Sequence, residues 1–89
     1  MQRLRINLQL EVGIFTQPGS SRIQVKFPNG DILMWIPEDR RWFQPNRDKQ
    51  YSSRALRSLD RRERVELEQG LMLYDLRRTL AIRRWNTGS

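Results

Sequence analysis

The sequence predicts an α+β fold in which a three- to four-stranded antiparallel β-meander, about residues 3–44, is packed by one long C-terminal helix, about residues 60–84. Alternation of apolar and polar residues near the N-terminus is typical of a half-buried strand. An Asn-Gly pair between two apolar segments is typical of a β-hairpin. From Asp60 onward the chain lacks proline over about 25 residues, enough for a helix that covers one face of the sheet.

The first strand and its turn are predicted from residue spacing. Every even position from Leu4 to Ile14 is apolar, so one extended strand would place all of these side chains on one face. A Pro-Gly pair within residues 17–20 then supplies the backbone angles of a type II turn. The second strand follows at residues 22–27, and the turn would place Ile14, Val12 and Leu10 opposite Ile23, Val25 and Phe27.

The Asn29-Gly30 pair predicts the second hairpin, because both residues tolerate the positive φ angles of a type I′ turn. The third strand would occupy residues 31–36. A two-residue turn fixes the register, which would pair Phe27 with Ile32, Val25 with Met34 and Ile23 with Ile36 on the inner face. The outer face would then carry Lys26 beside Leu33 and Gln24 beside Trp35.

A short fourth strand is predicted at residues 41–44, after a turn at residues 37–40. If it pairs with the third strand, Phe43 faces inward and Trp42 lies beside Trp35 on the outer face.

The rest of the chain is predicted as a connection, a helix and a tail. Residues 45–59 connect sheet and helix and include a short helical turn that begins near Ser53. The helix covers residues 60–85, with Asp60 and Glu63 in the spacing of a capping box, and residues 86–89 form a frayed tail. No interdomain linker interrupts residues 1–89, so a single domain is expected.

Charge and cysteine content limit the class of protein. Seventeen Lys plus Arg against ten Asp plus Glu leave a net charge of +7, which attracts polyanions and acidic partners. The chain has no cysteine and gains nothing from an oxidising compartment. Its N-terminus does not resemble a signal peptide, and no apolar run approaches the ~18–20 residues that span a bilayer. We therefore expect a cytoplasmic protein without a membrane partner.

The sequence offers little equipment for catalysis. It contains no histidine and no cysteine, which removes the commonest general base, metal ligand and thiol nucleophile. Glu66 and Glu68 lie four residues after Arg62 and Arg64, the spacing of solvated ion pairs on a helix. No glycine-rich phosphate loop is present. We expect no enzyme activity, catalytic residue, metal, cofactor or small-molecule substrate.

The predicted outer face of the sheet is the first candidate binding site. Trp35 and Trp42 would lie side by side there, as rings on which bases could stack. The cations expected near them, which would hold phosphates, are Arg5, Arg22, Lys26 and Arg40. The alternative is structural, because cross-strand tryptophans stabilise a sheet by themselves and a loop or helix could cover them.

The helix is the second candidate, because it carries two apolar arcs. The arc predicted to pack on the sheet contains Val65, Met72, Leu73, Leu76 and Leu80. The arc roughly opposite contains Leu67, Leu71, Tyr74, Ala81, Ile82 and Trp85. One small sheet cannot bury both arcs, so the second is either a partner interface or is covered within the fold.

Two functions follow as hypotheses. The leading hypothesis is a small basic module without enzyme activity that binds RNA, single-stranded DNA or a nucleoprotein complex through its aromatic and arginine-rich surface. The alternative is a regulatory or assembly factor that binds a protein partner, or a second copy of itself as a homodimer, through the second apolar face of the helix.

Overall fold

The computed structural model describes residues 2–44 and 54–87, and the side chains of the long helix as far as residue 81. The described residues form five strands and two helices: β1 (Gln2–Arg5), β2 (Glu11–Thr16), β3 (Ile23–Lys26), β4 (Ile32–Ile36), β5 (Arg41–Phe43), α1 (Arg54–Ser58) and α2 (Arg61–Thr87). The strands form one antiparallel sheet in the order β1-β2-β3-β4-β5. The predicted α+β meander with a long C-terminal helix is confirmed, with one strand more than expected.

Several boundaries differ from the predicted ones. Helix α2 ends at Thr87, three residues beyond the predicted end at Arg84, so two residues assigned to the tail are helical. Helix α1 begins at Arg54, close to the predicted helical turn. Residues 45–53 of the predicted connection and residues 88–89 of the predicted tail lie outside the described residues.

The N-terminal segment forms two strands, so the prediction of one strand is wrong. The side-chain oxygen of Asn7 accepts hydrogen bonds of 2.8 Å from the backbone N–H groups of Gln9 and Leu10, which turns the chain back on itself. Strands β1 and β2 then pair so that Leu4 lies opposite Val12. Because this register pairs even positions with even positions, the alternation continues through the turn and gives the appearance of one strand.

The register of the second hairpin is one residue away from the predicted register. Val25 lies opposite Leu33, and the loop comprises three residues, with Gly30 at φ 93°. A two-residue loop would make Pro28 a member of the closing pair, where it has no N–H to donate. The observed loop closes instead with the Phe27 N–H donating to the Asp31 carbonyl at 2.8 Å. The shift exchanges the two faces of β4.

The inner face of the sheet consequently carries both tryptophans. Strand β5 confirms the predicted fourth strand, and Trp42 lies beside Trp35 as expected, with ring centroids 5.0 Å apart. Both rings lie on the buried face, whereas Phe43 lies on the outer one. In the first hairpin Ile14 pairs with Val25 and not with the predicted Ile23, a two-residue shift that leaves the faces unchanged.

The core lies between the inner face of the sheet and the two helices. Its buried members from the strands and their adjoining turns are Leu10, Val12, Ile14, Ile23, Val25, Phe27, Leu33, Trp35 and Trp42. The helices contribute Ala55 and Leu56 from α1, and Leu67 and Leu71 from α2. The predicted capping box is present at the start of α2, where Asp60 Oδ1 accepts from the Glu63 N–H at 2.7 Å.

Helix α2 presents the opposite arc to the sheet from the one predicted. Leu67 and Leu71 have no exposed surface, and Tyr74 packs against the same core. Gly70 lies on this buried arc, and a Cβ atom added to it would lie 3.1 Å from the Leu4 side chain. The missing side chain lets the helix approach strand β1 closely. Of the arc predicted to face the sheet, Met72 packs against the edge of the core, while Val65, Leu73, Leu76 and Leu80 face away from it.

Candidate functional site

The two tryptophans predicted to stack on bases are buried. Trp35 is 2% exposed and Trp42 is 8% exposed, so the expectation that these rings lie on the outer face is wrong. The indole Nε1 of Trp42 donates a hydrogen bond of 2.7 Å to Glu68 on α2, which fixes the ring in the interface between sheet and helix. A ring enclosed in this way has no free face for a base.

Three of the four predicted cations do share the outer side of the sheet. Arg5 and Lys26 border one depression there, and Arg22 borders a second. Arg40 lies elsewhere, in the β4–β5 turn at φ 52°, and borders a groove between Trp35 and α2. The structure therefore separates Arg40, which lies near Trp35, from the other three cations, which lie on the opposite face of the sheet from both tryptophans.

Two phenylalanines take the place that the tryptophans were expected to fill. One row of residues crosses four neighbouring strands on the outer face, and its members are Phe15, Gln24, Met34 and Phe43. Phe15 is 39% exposed and Phe43 is 38% exposed. Since neighbouring strands lie about 4.8 Å apart, the two rings are about 14 Å apart across the sheet. We call this row the aromatic row.

The apolar surface extends to both sides of the aromatic row. Ile32 is exposed on the same face of β4, and Ile36 is half-buried there. Alternation along the strand places both on the side away from the helices. The outer face therefore keeps apolar side chains in contact with water, and these are available to contact a ligand.

Cations flank the aromatic row. The charged residues placed on the outer face by the strand registers, together with Arg22 beside them, are Arg3, Arg5, Arg22, Lys26, Arg41 and Glu11. Five cations minus one carboxylate leave a local charge of +4. Glu11 forms ion pairs with Arg3 at 3.5 Å and with Arg5 at 3.3 Å, and these arginines are mostly exposed. Such exposed pairs are weak and can be exchanged for a phosphate.

Two shallow depressions lie on the outer side of the sheet. One, of about 520 Å³, is bordered by Phe15, Arg22 and Met34. The other, also of about 520 Å³, is bordered by Arg3, Arg5 and Lys26, together with Glu11 and uncharged residues. The first combines an aromatic ring with a guanidinium group, and the second offers three cations to a phosphate. We call the aromatic row and these two depressions together the outer platform.

Sequence reasoning missed Phe15, Phe43, Arg3 and Arg41 as members of this surface. Pro28 was the available indication, because a proline directly before Asn29-Gly30 argues against a two-residue hairpin loop. A three-residue loop reverses the faces of β4 and β5 and brings Phe43 outward. Phe15 already occupied an odd, outward position in the first alternation.

The opposite side of the molecule carries the exposed arc of α2. Val65, Leu73, Leu76 and Leu80 are between 44% and 55% exposed, and Met72 is half-buried beside them. Together with Trp35 and Arg40 they border a groove of about 790 Å³. Of the residues predicted to form a partner interface, Leu67 and Leu71 are buried in the core, Tyr74 is half-buried and Ala81 is exposed. Ile82 and Trp85 lie beyond the described side chains.

Within the described parts of the chain, no group of three or more His, Cys, Asp or Glu side chains is arranged to hold a metal ion. Neither described helix has the length and apolar character to cross a membrane. Comparison with protein-family models, with curated proteins and with solved structures finds no match to the chain.

Proposed function

We propose that this protein is a binding module without enzyme activity, and that its ligand is single-stranded nucleic acid, either RNA or DNA, alone or in a nucleoprotein complex. One observation carries the proposal: two phenylalanine rings are exposed at the ends of the aromatic row and are flanked by five cations. The absence of cysteine from the sequence supports a cytoplasmic location.

Stacking supplies the first part of the binding energy. An exposed aromatic ring stacks on a base for about 1–3 kcal/mol, and it accepts any base because every base has a π face. Phe15 and Phe43 offer two such rings, and the side chain of Met34 lies between them as a polarisable apolar contact. Sheets that bind single-stranded RNA use exposed aromatic side chains in this way.

Phosphate contacts supply the second part. Arg22 lies next to Phe15 on one side of the aromatic row, while Arg3, Arg5 and Lys26 lie on the other side of the row, so cations border it on both sides. A guanidinium group binds phosphate through two parallel hydrogen bonds. A strand laid across the platform could therefore stack its bases on the rings and place its phosphates against the arginines.

The shape of the platform favours a single strand over a duplex. Stacking requires unpaired bases with an accessible face, whereas a duplex offers only its phosphates to the cations. Within the aromatic row, Gln24 is the one side chain that can form hydrogen bonds with base edges. We therefore expect weak dependence on base sequence.

Titration of fluorescein-labelled oligonucleotides tests the proposal. Fluorescence polarisation should show that a random single-stranded 12-mer binds more tightly than a duplex of the same length. If about four phosphates are neutralised, log Kd against log salt concentration should have a slope near 3 in magnitude. No binding at low salt, or equal binding of duplex and single strand, would contradict the proposal.

Substitution of the rings separates stacking from general attraction to polyanions. Phe15→Ala and Phe43→Ala should each weaken single-strand binding by roughly five- to a hundredfold, which corresponds to the loss of one stacked base. Both side chains are already partly exposed, so the fold should tolerate the change. Leu73→Ala, which removes an exposed apolar side chain from the opposite side of the molecule, is the matched control and should leave binding unchanged.

A further inference from the structure

The exposed arc of α2 is an apolar surface that the fold does not use. Leu67 and Leu71 already fill the space between helix and sheet without any exposed area. Four further apolar side chains, Val65, Leu73, Leu76 and Leu80, still lie at least 44% exposed along the same helix. Apolar residues are ordinarily scattered singly over a protein surface, so a continuous row of them indicates an interface.

The dimensions of this surface suit another helix. From Val65 to Leu80 the row extends over fifteen residue steps, or about 22 Å at 1.5 Å per residue. Val65, Gln69, Met72 and Leu76 follow the alternating spacing of four and three residues that forms the seam of a helix pair, and three of these four side chains are apolar. Beside the row is the groove of about 790 Å³, with Trp35 and Arg40 on its far wall. An amphipathic helix binds in a groove of this kind.

Charge identifies which helix fits. The chain carries +7 overall. Residues 61–81, which contain the whole row, have five Arg and four Asp or Glu and therefore carry +1, and Arg83 and Arg84 bring α2 to +3. The part of the helix that holds the row therefore neither repels a second copy of itself strongly nor attracts a strongly acidic partner. The larger share of the excess positive charge, +4, lies on the outer platform, on the other side of the sheet.

One flank of the row is complementary in an antiparallel pair. Glu66 and Arg77 are eleven residues apart, which brings them to within about 20° of each other around the helix, on the same flank of the row. When two identical helices pair antiparallel, each flank meets the same flank of the other copy, N-terminal half against C-terminal half. With the two-fold axis between residues 71 and 72, near the middle of the row, Glu66 of each copy lies level with Arg77 of the other. On the opposite flank Glu68 lies level with Asp75, and each of these carboxylates is paired with an arginine of its own helix.

A parallel arrangement of the two helices does not bring Glu66 of one copy level with Arg77 of the other. It would place the Arg77-Arg78 ends of the two helices side by side and align the two helix dipoles in the same direction. The antiparallel arrangement separates those ends and opposes the dipoles. Rim charges of this sort decide orientation more than affinity, which the apolar row supplies.

We propose that the exposed arc of α2 binds the same arc of a second copy of this chain, in an antiparallel homodimer with two-fold symmetry. The inference goes beyond nucleic-acid binding and does not depend on it, because it uses the opposite side of the sheet. In such a dimer the two outer platforms face away from each other, so a bound strand and a dimer partner do not compete.

Sedimentation equilibrium of the full chain, from low micromolar concentration to about 1 mM, tests the homodimer. At 1 mM, association worth only about 4 kcal/mol still populates the dimer. We expect a mass that rises from monomer to dimer and stops there. Leu76→Glu should hold the protein at the monomer mass with an unchanged far-ultraviolet circular dichroism spectrum, because Leu76 contributes to the surface and not to the core.

Two controls make the result decisive. Leu8→Glu introduces the same charge at a leucine that is 94% exposed in the β1–β2 turn, and it should leave the dimer intact. Glu66→Arg and Arg77→Glu should each weaken the dimer roughly tenfold, since each disrupts two symmetry-related pairs. The double variant E66R/R77E should restore the original dissociation constant.

Three outcomes would overturn the proposal. The first is a wild-type chain that stays monomeric at 1 mM, whatever other protein it binds. The second is a dimer that persists in Leu76→Glu. The third is a double variant E66R/R77E that fails to regain affinity, which would exclude the antiparallel orientation. Each of these results leaves the nucleic-acid proposal untouched, because the oligonucleotide titration measures the other side of the molecule.

Discussion

The indole Nε1 of Trp42 donates a 2.7 Å hydrogen bond to Glu68 Oε2, which joins the edge strand β5 to helix α2. Glu68 also accepts from Arg64 at 3.3 Å one helical turn earlier. The neighbouring Trp35 is buried more deeply, yet its Nε1 has no hydrogen-bond partner among the described residues. The indole N–H of Trp42 therefore has a hydrogen-bond acceptor, whereas that of the adjacent Trp35 has none among the described residues.

Burial alone would make Trp35→Phe more destabilising than Trp42→Phe, because Trp35 is the more deeply buried ring. The difference in hydrogen bonding predicts the reverse order. Trp42→Phe removes a hydrogen bond to a charged acceptor, worth about 1.5–3 kcal/mol, and also leaves a cavity. Trp35→Phe leaves a similar cavity but relieves a buried unpaired donor, which costs about 1–3 kcal/mol. Urea unfolding should therefore show that Trp42→Phe is the more destabilising by at least about 1 kcal/mol, although Trp42 is the more exposed ring.

A double-mutant cycle isolates the hydrogen bond from the cavity. Glu68→Ala should destabilise the wild type but have much less effect in the Trp42→Phe background, with a coupling energy above about 1 kcal/mol. In the Trp35→Phe background Glu68→Ala should keep its full effect. A larger loss of stability in Trp35→Phe than in Trp42→Phe would show that packing outweighs the polar contact at this position.

The sequence allowed the strands to be located but misassigned one pair of faces. Alternation assigned the inner and outer faces of β2 and β3 correctly, because the two-residue difference between the predicted and observed registers leaves the faces unchanged. A shift of one residue at the Asn29-Gly30 loop exchanged the faces of β4 and β5 and moved Trp35 into the core. Three of the five cations on the outer platform, Arg5, Arg22 and Lys26, were therefore predicted from the sequence, whereas its two aromatic rings were not.

The orientation of α2 could not be decided from hydrophobicity, because the two apolar arcs of the helix are similar in strength. The decision depends on tertiary contacts that pattern alone does not report: the close approach of Gly70 to Leu4 and the bond between Trp42 and Glu68. Gly70 was nevertheless an available indication. A glycine inside a helix costs about 1 kcal/mol, and close packing on its side of the helix is a common reason for its presence.

Gly70→Ala should stabilise the protein less than helix propensity alone predicts. Propensity favours alanine by about 1 kcal/mol, but the new Cβ atom would lie 3.1 Å from Leu4 Cδ2 and 3.8 Å from Ile6 Cδ1. Because Leu4 is half-buried on edge strand β1, it can move at some loss of packing. We expect a net gain below about 0.5 kcal/mol in urea unfolding.

The same substitution in a Leu4→Ala background is the control. With the leucine side chain removed, Gly70→Ala should recover the full gain of about 1 kcal/mol. Equal gains in the two backgrounds would show that Leu4 does not limit the approach of helix and strand.

The capping box predicts unequal effects of changes at Asp60 and Glu63. Asp60 Oδ1 accepts from the Glu63 N–H at 2.7 Å, so Asp60→Ala should cost about 1 kcal/mol in thermal or urea unfolding. Glu63 accepts from the Asp60 N–H at 3.2 Å and also from Asn7 Nδ2 at 3.2 Å, which ties the β1–β2 turn to the start of α2. Glu63→Ala loses both bonds and should cost at least as much.

Glu63→Gln separates the two hydrogen bonds at this position. Glutamine also serves in a capping box, and its single oxygen can accept from the Asp60 N–H in place of Glu63 Oε1, but the amide nitrogen in place of Oε2 cannot accept from Asn7 Nδ2, so the loss should be about half of that in Glu63→Ala. A loss as large as that of the alanine variant would mean that the bond to Asn7, or the carboxylate charge at the helix N-terminus, supplies most of the stabilisation.

Glu11→Gln should raise the affinity for single-stranded nucleic acid, because Glu11 is the carboxylate that pairs with Arg3 and Arg5 on the outer platform. Its removal takes away repulsion of about 0.6 kcal/mol toward a phosphate about 7 Å away in water, or about threefold in Kd. Both arginines also become free for phosphate, so the salt dependence should steepen by roughly 0.7 for each new contact. Stability should fall by less than about 1 kcal/mol, since the pairs are exposed.

Glu38→Gln makes the same change in charge beside Met72 of α2, away from the platform, and should leave Kd unchanged. Equal gains from both substitutions would mean that net charge alone governs binding, and that the arrangement of cations around the aromatic row has no part in it.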